Sequence, residues 1–336
     1  MKIFFVFVAL ALGVGCAEVD WHDPEGDPAI APDIEARLAQ FVPQVLSADV
    51  DHLSAGDRQA LRHLVQAAEA VDEIFTLQAW TGGPTFKQQL AGLTGPGADE
   101  AREFYRIMYG PWDRLVGHEP FIGEIVHPEG AGFYPEDLTK DEFEAWLEQH
   151  PEDGESFRSL HTLIRRDGDR LMAIPYSAAF AEQLDRAAES LRAAAASADN
   201  PSLVRFLELR ADAFASDDYF ESDMAWMDLD SAIEIVIGPY ETYEDKLFGY
   251  KAGFEAFLCV SHPEDSARLE KFKAELPFLE RNLPIPDEHK NLDRGTSSPI
   301  RVADELLATG ETRAGVQTLA FNLPNDERVR EAKGSK

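Results

Sequence analysis

The sequence predicts an α+β fold, mostly helical with a small mixed or antiparallel sheet or barrel. Three observations carry this reading. Long segments between residues 54 and 215 repeat apolar side chains every three or four positions, as amphipathic helices do. Asp167-Gly168, the strongest short hairpin signal in the chain, sits between two apolar runs. β-Favouring residues then gather in EIVIGPYETYEDKLFGYKAGFEAFLCV, residues 234–260, around which the rest is organised.

In chain order, MKIFFVFVALALGVGC pairs one basic residue with an apolar run and a small residue before a cysteine, the pattern of an export signal. The run is short for a membrane span, so cleavage is expected rather than retention. Gly13-Val14-Gly15-Cys16 is similar to a bacterial lipobox, which makes Cys16 the candidate lipidated first residue of the mature protein. An ordinary secretory signal cleaved nearby is the alternative. Residues 17–32, with three prolines and many acids, read as a tether, and residues 33–336 as the folded part.

A helix opening at Asp33 is expected to continue to about Ala48 through Ile34, Leu38, Phe41 and Val42. Ser54 or Asp57 caps a long helix whose apolar face holds Leu61, Leu64, Val65, Ala68, Val71, Ile74 and Phe75. Glycines break the chain at 82–83 and 92–97 before a helix over 98–109. Thr139 and Glu142 form a capping box for a helix that His150-Pro151 ends. Residues 160–166 and 171–174 are the hairpin arms, and residues 177–198 and 201–215 are helices, the second with proline in its first turn. In DDYFESDMAWMDLD the aromatics read as core, while Glu221, Asp223, Asp228 and Asp230 are cleft or solvated acids.

Within the central stretch, Ile235, Val236 and Ile237 run into Gly238-Pro239, a turn signal expected to stop the strand. Phe254, Ala256 and Leu258 alternate with Glu255 and Phe257, the period of a strand with one wet face. The polar connection is longer than a hairpin needs. Its Glu241, Tyr243, Glu244 and Asp245 either line a binding cleft or form a solvated acidic loop. Helices follow over 263–283, then a loop, a short amphipathic piece around 302–307 and a strand-like run over 316–321. No hydrophobic element is read after FNLPND.

At 336 residues and 44% hydrophobic, the chain can bury a substantial core. Its formal charge of −31 repels phosphates, so nucleic acid is not an expected partner. The same field favours cationic ligands, although solubility is its more direct consequence. Cys259, within AFLCV, reads as a buried small hydrophobe, and no Cys-x-x-Cys pair exists to hold zinc. Gly82-Gly83 lacks the Gly-Lys-Ser/Thr ending of a phosphate loop. His118, Glu119, Glu124 and His127 gather loosely, but Pro120 and Gly123 interrupt the helix a His-Glu-x-x-His site requires.

IGPYETYEDKLFGYKAGFEAF, FYPEDLTKDEFEAWLEQHPED at 133–153, RRDGDRLMAIPYS at 165–177, DDYFESDMAWMDL at 217–229 and FNLPND at 321–326 together resemble the dipeptidyl peptidase III family of zinc exopeptidases and its bacterial relatives. The resemblance runs from Asp57 to the end of the sequence. It implies the amino-terminal lobe of such a hydrolase, which in its full-length form removes dipeptides from peptide amino termini with zinc. In the family, an FNLPND-like segment precedes a helix bearing His-Glu-x-x-Gly-His or His-Glu-x-x-His. This sequence holds neither motif, so no metal ligand is expected here and the chain alone is expected not to catalyse the reaction.

What the resemblance carries over is substrate binding. Glu234 matches the glutamate that holds the substrate's amino terminus, and Asn322 and Asn325 match asparagines that bind the peptide backbone. Val236 stands where the family has tyrosine. Plain turn asparagines are the alternative for the last pair. The implied partners are a peptide or small-molecule substrate and, through Cys16, a bacterial membrane facing the periplasm or cell exterior. A non-catalytic extracytoplasmic lipoprotein that binds peptides or small ligands is the competing reading.

Overall fold

The computed structural model describes residues 29–273, 275–290 and 301–336, so Cys16 and most of the tether lie outside the described residues. The first helix, α1 (Ile34–Leu38), ends well before Ala48. Pro43 explains the shortfall, because it has no N–H to give and drives Val42 out of the helical region. Val42 is accordingly 75% exposed.

Ser54 caps α2 (Ala55–Ala79), its hydroxyl accepting from Asp57 N, and the predicted face of Leu64, Ala68, Val71, Ile74 and Phe75 is fully buried. Two shorter helices, α3 (Gly83–Ala91) and α4 (Ala98–Met108), pack Phe86 and Phe104 into a second cluster with Trp80, Trp112 and Phe121. A small pair, β1 (Trp112–Asp113) with β2 (Glu119–Pro120), follows. Thr139 caps α5 (Lys140–Gln149) as read, and α6 (Gly154–Arg158) leads to the hairpin β3 (Thr162–Asp167) and β4 (Arg170–Pro175), with Gly168 at φ 60° in the turn.

The single helix expected over 177–198 is broken into α7 (Tyr176–Ala179) and α8 (Ala181–Ser197). Phe180 leaves the helical region there and buries its ring beside Tyr176 and Phe254. Asn200 caps α9 (Pro201–Ser216), and α10 (Phe220–Met227) holds the DDYFESDMAWM run.

The central stretch forms β5 (Ile233–Glu241) and β6 (Gly253–Ser261). After α11 (Pro263–Lys273) and α12 (Leu276–Arg281), β7 (Ala303–Gly310) completes an antiparallel sheet in the order β5-β6-β7. The piece read as amphipathic around 302–307 is therefore a strand. Gly238-Pro239 does not stop β5; the strand continues with a register shift between Pro239 and Glu241. Among the described residues β5 is an edge strand, where a proline removes no ladder bond. Nor is β6 half wet: residues 253–260 are all buried, because it is the central strand and is covered on both faces. Residues 316–321 form no strand, and α13 (Glu327–Lys333) supplies the hydrophobic element the sequence did not announce, with Val329 fully buried.

Helix α2 is stitched to one face of the sheet. Gln78 donates to Ala252 O (3.2 Å) and accepts from Phe254 N (2.7 Å), Thr309 Oγ1 donates to Ala68 O (3.2 Å), and Asp72 accepts from Gly310 N (2.9 Å). Arg210 of α9 fastens the edge. Fully buried, it donates to Ile237 O (2.7 Å) and to Tyr240 Oη (2.6 Å), pairs with Asp223 of α10, and lies over the rings of Phe206, Tyr219 and Tyr240. Gly238 is required beside it: its φ is 151°, and a Cβ there would stand 2.6 Å from Arg210 Nη1.

Candidate functional site

Because residues opposite each other across a ladder share a face, the register sorts the sheet into two sides. Ile235, Ile237, Phe254, Ala256, Leu258 and Thr309 face α2. Glu234, Val236 and Gly238 lie on the other side with Cys259, Phe257 and Glu255, and with Ala308 and Gly310. This second face is covered by the segment after β7: Phe321 packs on Phe257 (centroids 4.9 Å) and near Trp226 (6.3 Å), and Gln317 hydrogen-bonds Glu305. The predicted alternation is thus real, and the side expected to be wet carries carboxylates under a strap of chain.

At one end of that face lies Glu234, 6% exposed. Its carboxylate meets the ammonium of Lys336, Nζ to Oε1 2.8 Å. The same ammonium donates to Trp226 O (3.1 Å) and sits 4.3 Å above the Trp226 ring. The indole is held by its own bond to Ile235 O (3.0 Å). Burial pushes the Lys336 pKa below its ordinary value against the pull of Glu234. A carboxylate, a carbonyl and an aromatic face converging on one point form a cage for an ammonium group.

At the other end Asn325 Nδ2 donates to Tyr240 O (3.1 Å) and lies 3.5 Å from Glu241 Oε1. Tyr243 is 69% exposed, and the charge of Glu241 raises its pKa. Asn322 is exposed and makes no side-chain hydrogen bond to a described residue. Across Gly238 lies Glu255, 3% exposed, whose carboxyl is pushed up to about 8 by burial and then by Glu241. The structure therefore gathers Glu241, Tyr243 and Asn325, places Glu234 at the far end of β5, and leaves Asn322 on the strap.

The connection between β5 and β6 is neither a solvated acidic loop nor a set of ligands throughout. Asp245 is buried and accepts from Tyr134 Oη (2.8 Å) and from the N–H groups of Leu247, Phe248, Tyr250 and Lys251, which fixes the loop. Glu244 is buried in a two-bond pair with Arg114. Burial alone would raise its pKa, yet Arg114 and His127 hold it at about 2. Two of the four acids and aromatics singled out are thus structural, and Glu241 and Tyr243 are left facing solvent.

The sequence model of Peptidase family M49 matches residues 161–336, which include this sheet and both of its ends. The chain belongs to peptidase family M49. It is similar to the Nudix hydrolase 3 of Arabidopsis thaliana, 32% identical over 354 residues that cover 90% of this chain and 46% of that protein. The structure of dipeptidyl peptidase III from Caldithrix abyssi superimposes with a TM-score of 0.86 at 52% identity, covering 90% of this chain and 58% of that one. That of dipeptidyl-peptidase III from Corallococcus sp. strain EGB gives 0.83 at 42% identity, covering 91% and 58%. The M49 chain described here spans about half the length of the curated relative it matches.

M49 is a family of zinc metallopeptidases. Among the described residues no group of three or more His, Cys, Asp or Glu is placed to hold a metal ion. The nearest approach is His118 with His127, ring centroids 4.2 Å apart, and Glu244 3.8 Å from His127 Nε2. Arg114 already occupies both oxygens of that carboxylate, and Glu124, read as a companion of the histidines, is exposed. This donor set does not fit zinc.

Sequence reasoning missed Lys336, which lies far from Glu234 in the chain and in no motif, and took Trp226 only as core. An aromatic flanked by acids in DDYFESDMAWMDL was the one available signal.

Proposed function

We propose that this chain is the substrate-binding part of a dipeptidyl peptidase III-like hydrolase that acts on peptide amino termini. The observation that supports it is the ammonium held by Glu234 and Trp226 at the end of β5. A peptide's α-ammonium presents the same charge and the same donors as a lysine side chain. Beyond it, residues 319–322 enter no helix or strand, and among the described residues their backbone N–H groups bond no backbone carbonyl, which leaves donors for a peptide main chain. Asn322 on that segment, with Asn325, Glu241 and Tyr243 at its end, then orients the peptide. Val236, apolar on the cleft face beside Glu234, leaves the amine to be recognised by Glu234 and Trp226 without a second hydroxyl.

The test is calorimetric titration with trialanine and N-acetyl-trialanine. The free peptide binds more tightly, and Glu234→Gln weakens it by about 10- to 100-fold, the worth of a charged hydrogen bond, with little effect on the acetylated form. Equal affinities for the two peptides in the unaltered chain would refute the amine reading.

Export and lipidation belong to the same proposal. They rest on the apolar run before Gly13-Val14-Gly15-Cys16. Radiolabelled palmitate is expected in the membrane fraction and to be lost in Cys16→Ala. The competing reading, a non-catalytic peptide-binding lipoprotein, draws on the lack of a His-Glu-x-x-His motif within these residues. Zinc content and dipeptide release, measured on this chain and on any longer natural form, separate the two.

A further inference from the structure

The cage at Glu234 holds a cation of the protein's own. The Lys336 side chain is 4% exposed and its ammonium meets Glu234 Oε1, the carbonyl of Trp226 and the Trp226 ring. Two ammonium groups cannot share this place. One buried carboxylate between two cations would leave an uncompensated positive charge out of water, which is strongly unfavourable. Arg301 adds a further positive field at Lys336, with Asp230 opposing it.

Lys336 is also strapped to the cleft through its backbone. Its N–H donates to Leu323 O (2.9 Å) and its carbonyl accepts from Leu323 N (3.0 Å), next to Asn322. Lys336 is thus tied to the segment that carries both asparagines.

We propose that Lys336 is the resident occupant of the amine subsite, an internal competitor that a peptide ammonium must displace, and so a residue that sets which amino termini are accepted. The inference rests on the reading of Glu234 given above. A neutral or acylated terminus cannot replace the charge that Lys336 withdraws, whereas a free ammonium can. Selectivity for free amino termini then comes from the exchange of one cation for another, as well as from the attraction of Glu234.

Titration of trialanine and N-acetyl-trialanine into Lys336→Gln, Lys336→Met and Lys336→Arg variants tests this, each variant first shown to melt cooperatively. The Gln and Met variants are expected to bind trialanine about tenfold more tightly than the unaltered chain, a change of the size of one modest charge interaction. Lys336→Arg, which keeps a cation in the cage, is expected to bind no more tightly. Unchanged or weaker binding by a folded Gln or Met variant would overturn the role of Lys336. Failure of the underlying reading shows elsewhere: Glu234→Gln would then keep the unaltered chain's preference for the free over the acetylated peptide.

Discussion

Asp223→Ala should destabilise this protein more than removal of the charge it faces. The pair Asp223–Arg210 is buried, Arg210 fully and Asp223 at 5% exposure, and it joins α9 and α10 to the edge strand beside Gly238. Without Asp223 the guanidinium remains charged, since arginine does not lose its proton in proteins. Breaking such a pair costs about 3–5 kcal/mol. The lower half of that range applies here, because Ile237 O, the Tyr240 hydroxyl and three aromatic faces still receive the cation. For a chain of this size 1 kcal/mol moves the melting midpoint by about 2 °C, so a loss of about 6–8 °C is expected. Arg210→Met strands a carboxyl instead, and burial already pushes the Asp223 pKa above its ordinary value, so that group escapes by taking a proton, which at pH 5, little more than one unit above the unfolded carboxyl, costs about 2 kcal/mol. The double variant Arg210→Met with Asp223→Ala should recover part of the loss, since neither charge is left alone. Urea unfolding at pH 5 measures all three. The reasoning fails if Asp223→Ala is no worse than Arg210→Met, or if the double variant loses the sum of the two.

Gly238→Ala should cost about 2 kcal/mol or more, from an unfavourable φ and a Cβ pressed on Arg210, and it should be read by the same unfolding assay. The Glu244 carboxyl sits at about 2 in the fold, below its unfolded value, so its contribution is present above pH 4.5 and lost as pH falls towards 2. His118, lowered to about 4 chiefly by burial and then by His127, works in the same direction between pH 6.5 and 4, because the unfolded chain takes up the proton first. Melting temperature should therefore fall steeply with acid, and Arg114→Met should flatten that limb. Glu255 has the opposite sign: with its carboxyl raised to about 8, stability declines as pH rises from 4.5 to 8, and Glu255→Gln should raise the melting temperature at pH 8 more than at pH 5. An equal gain at both would mean that Glu255 is ionised in the fold.

How much was legible in the sequence follows from the range of each interaction. Ser54, Thr139 and Asp167-Gly168 announced their caps and turn because each acts on backbone groups within three residues. The amphipathic face of α2 was equally plain, since a helix repeats its buried side every three or four positions. Resemblance in five segments was enough to place the chain in its family, and alternation in β6 was enough to put Glu255 and Phe257 on one face. Pro43 was also visible and outweighed the apolar period that surrounds it.

What a strand's neighbours do lay beyond such local signals. Gly238-Pro239 reads as a stop in isolation and becomes part of β5 because the strand is at an edge and Arg210, distant in sequence, fills the space a side chain would need. Glu244 and Asp245 look like solvated acids until Arg114 and Tyr134 reach them from other parts of the chain, and four backbone N–H groups of the loop itself close on Asp245. The cage around Lys336 joins residues from β5, α10 and the segment after α13, so no spacing within one segment could encode it. Sequence determined which groups were available, through local backbone preference and periodicity. Tertiary structure decided their charge states and partners, because desolvation and ion pairing depend on what the fold brings within a few ångströms.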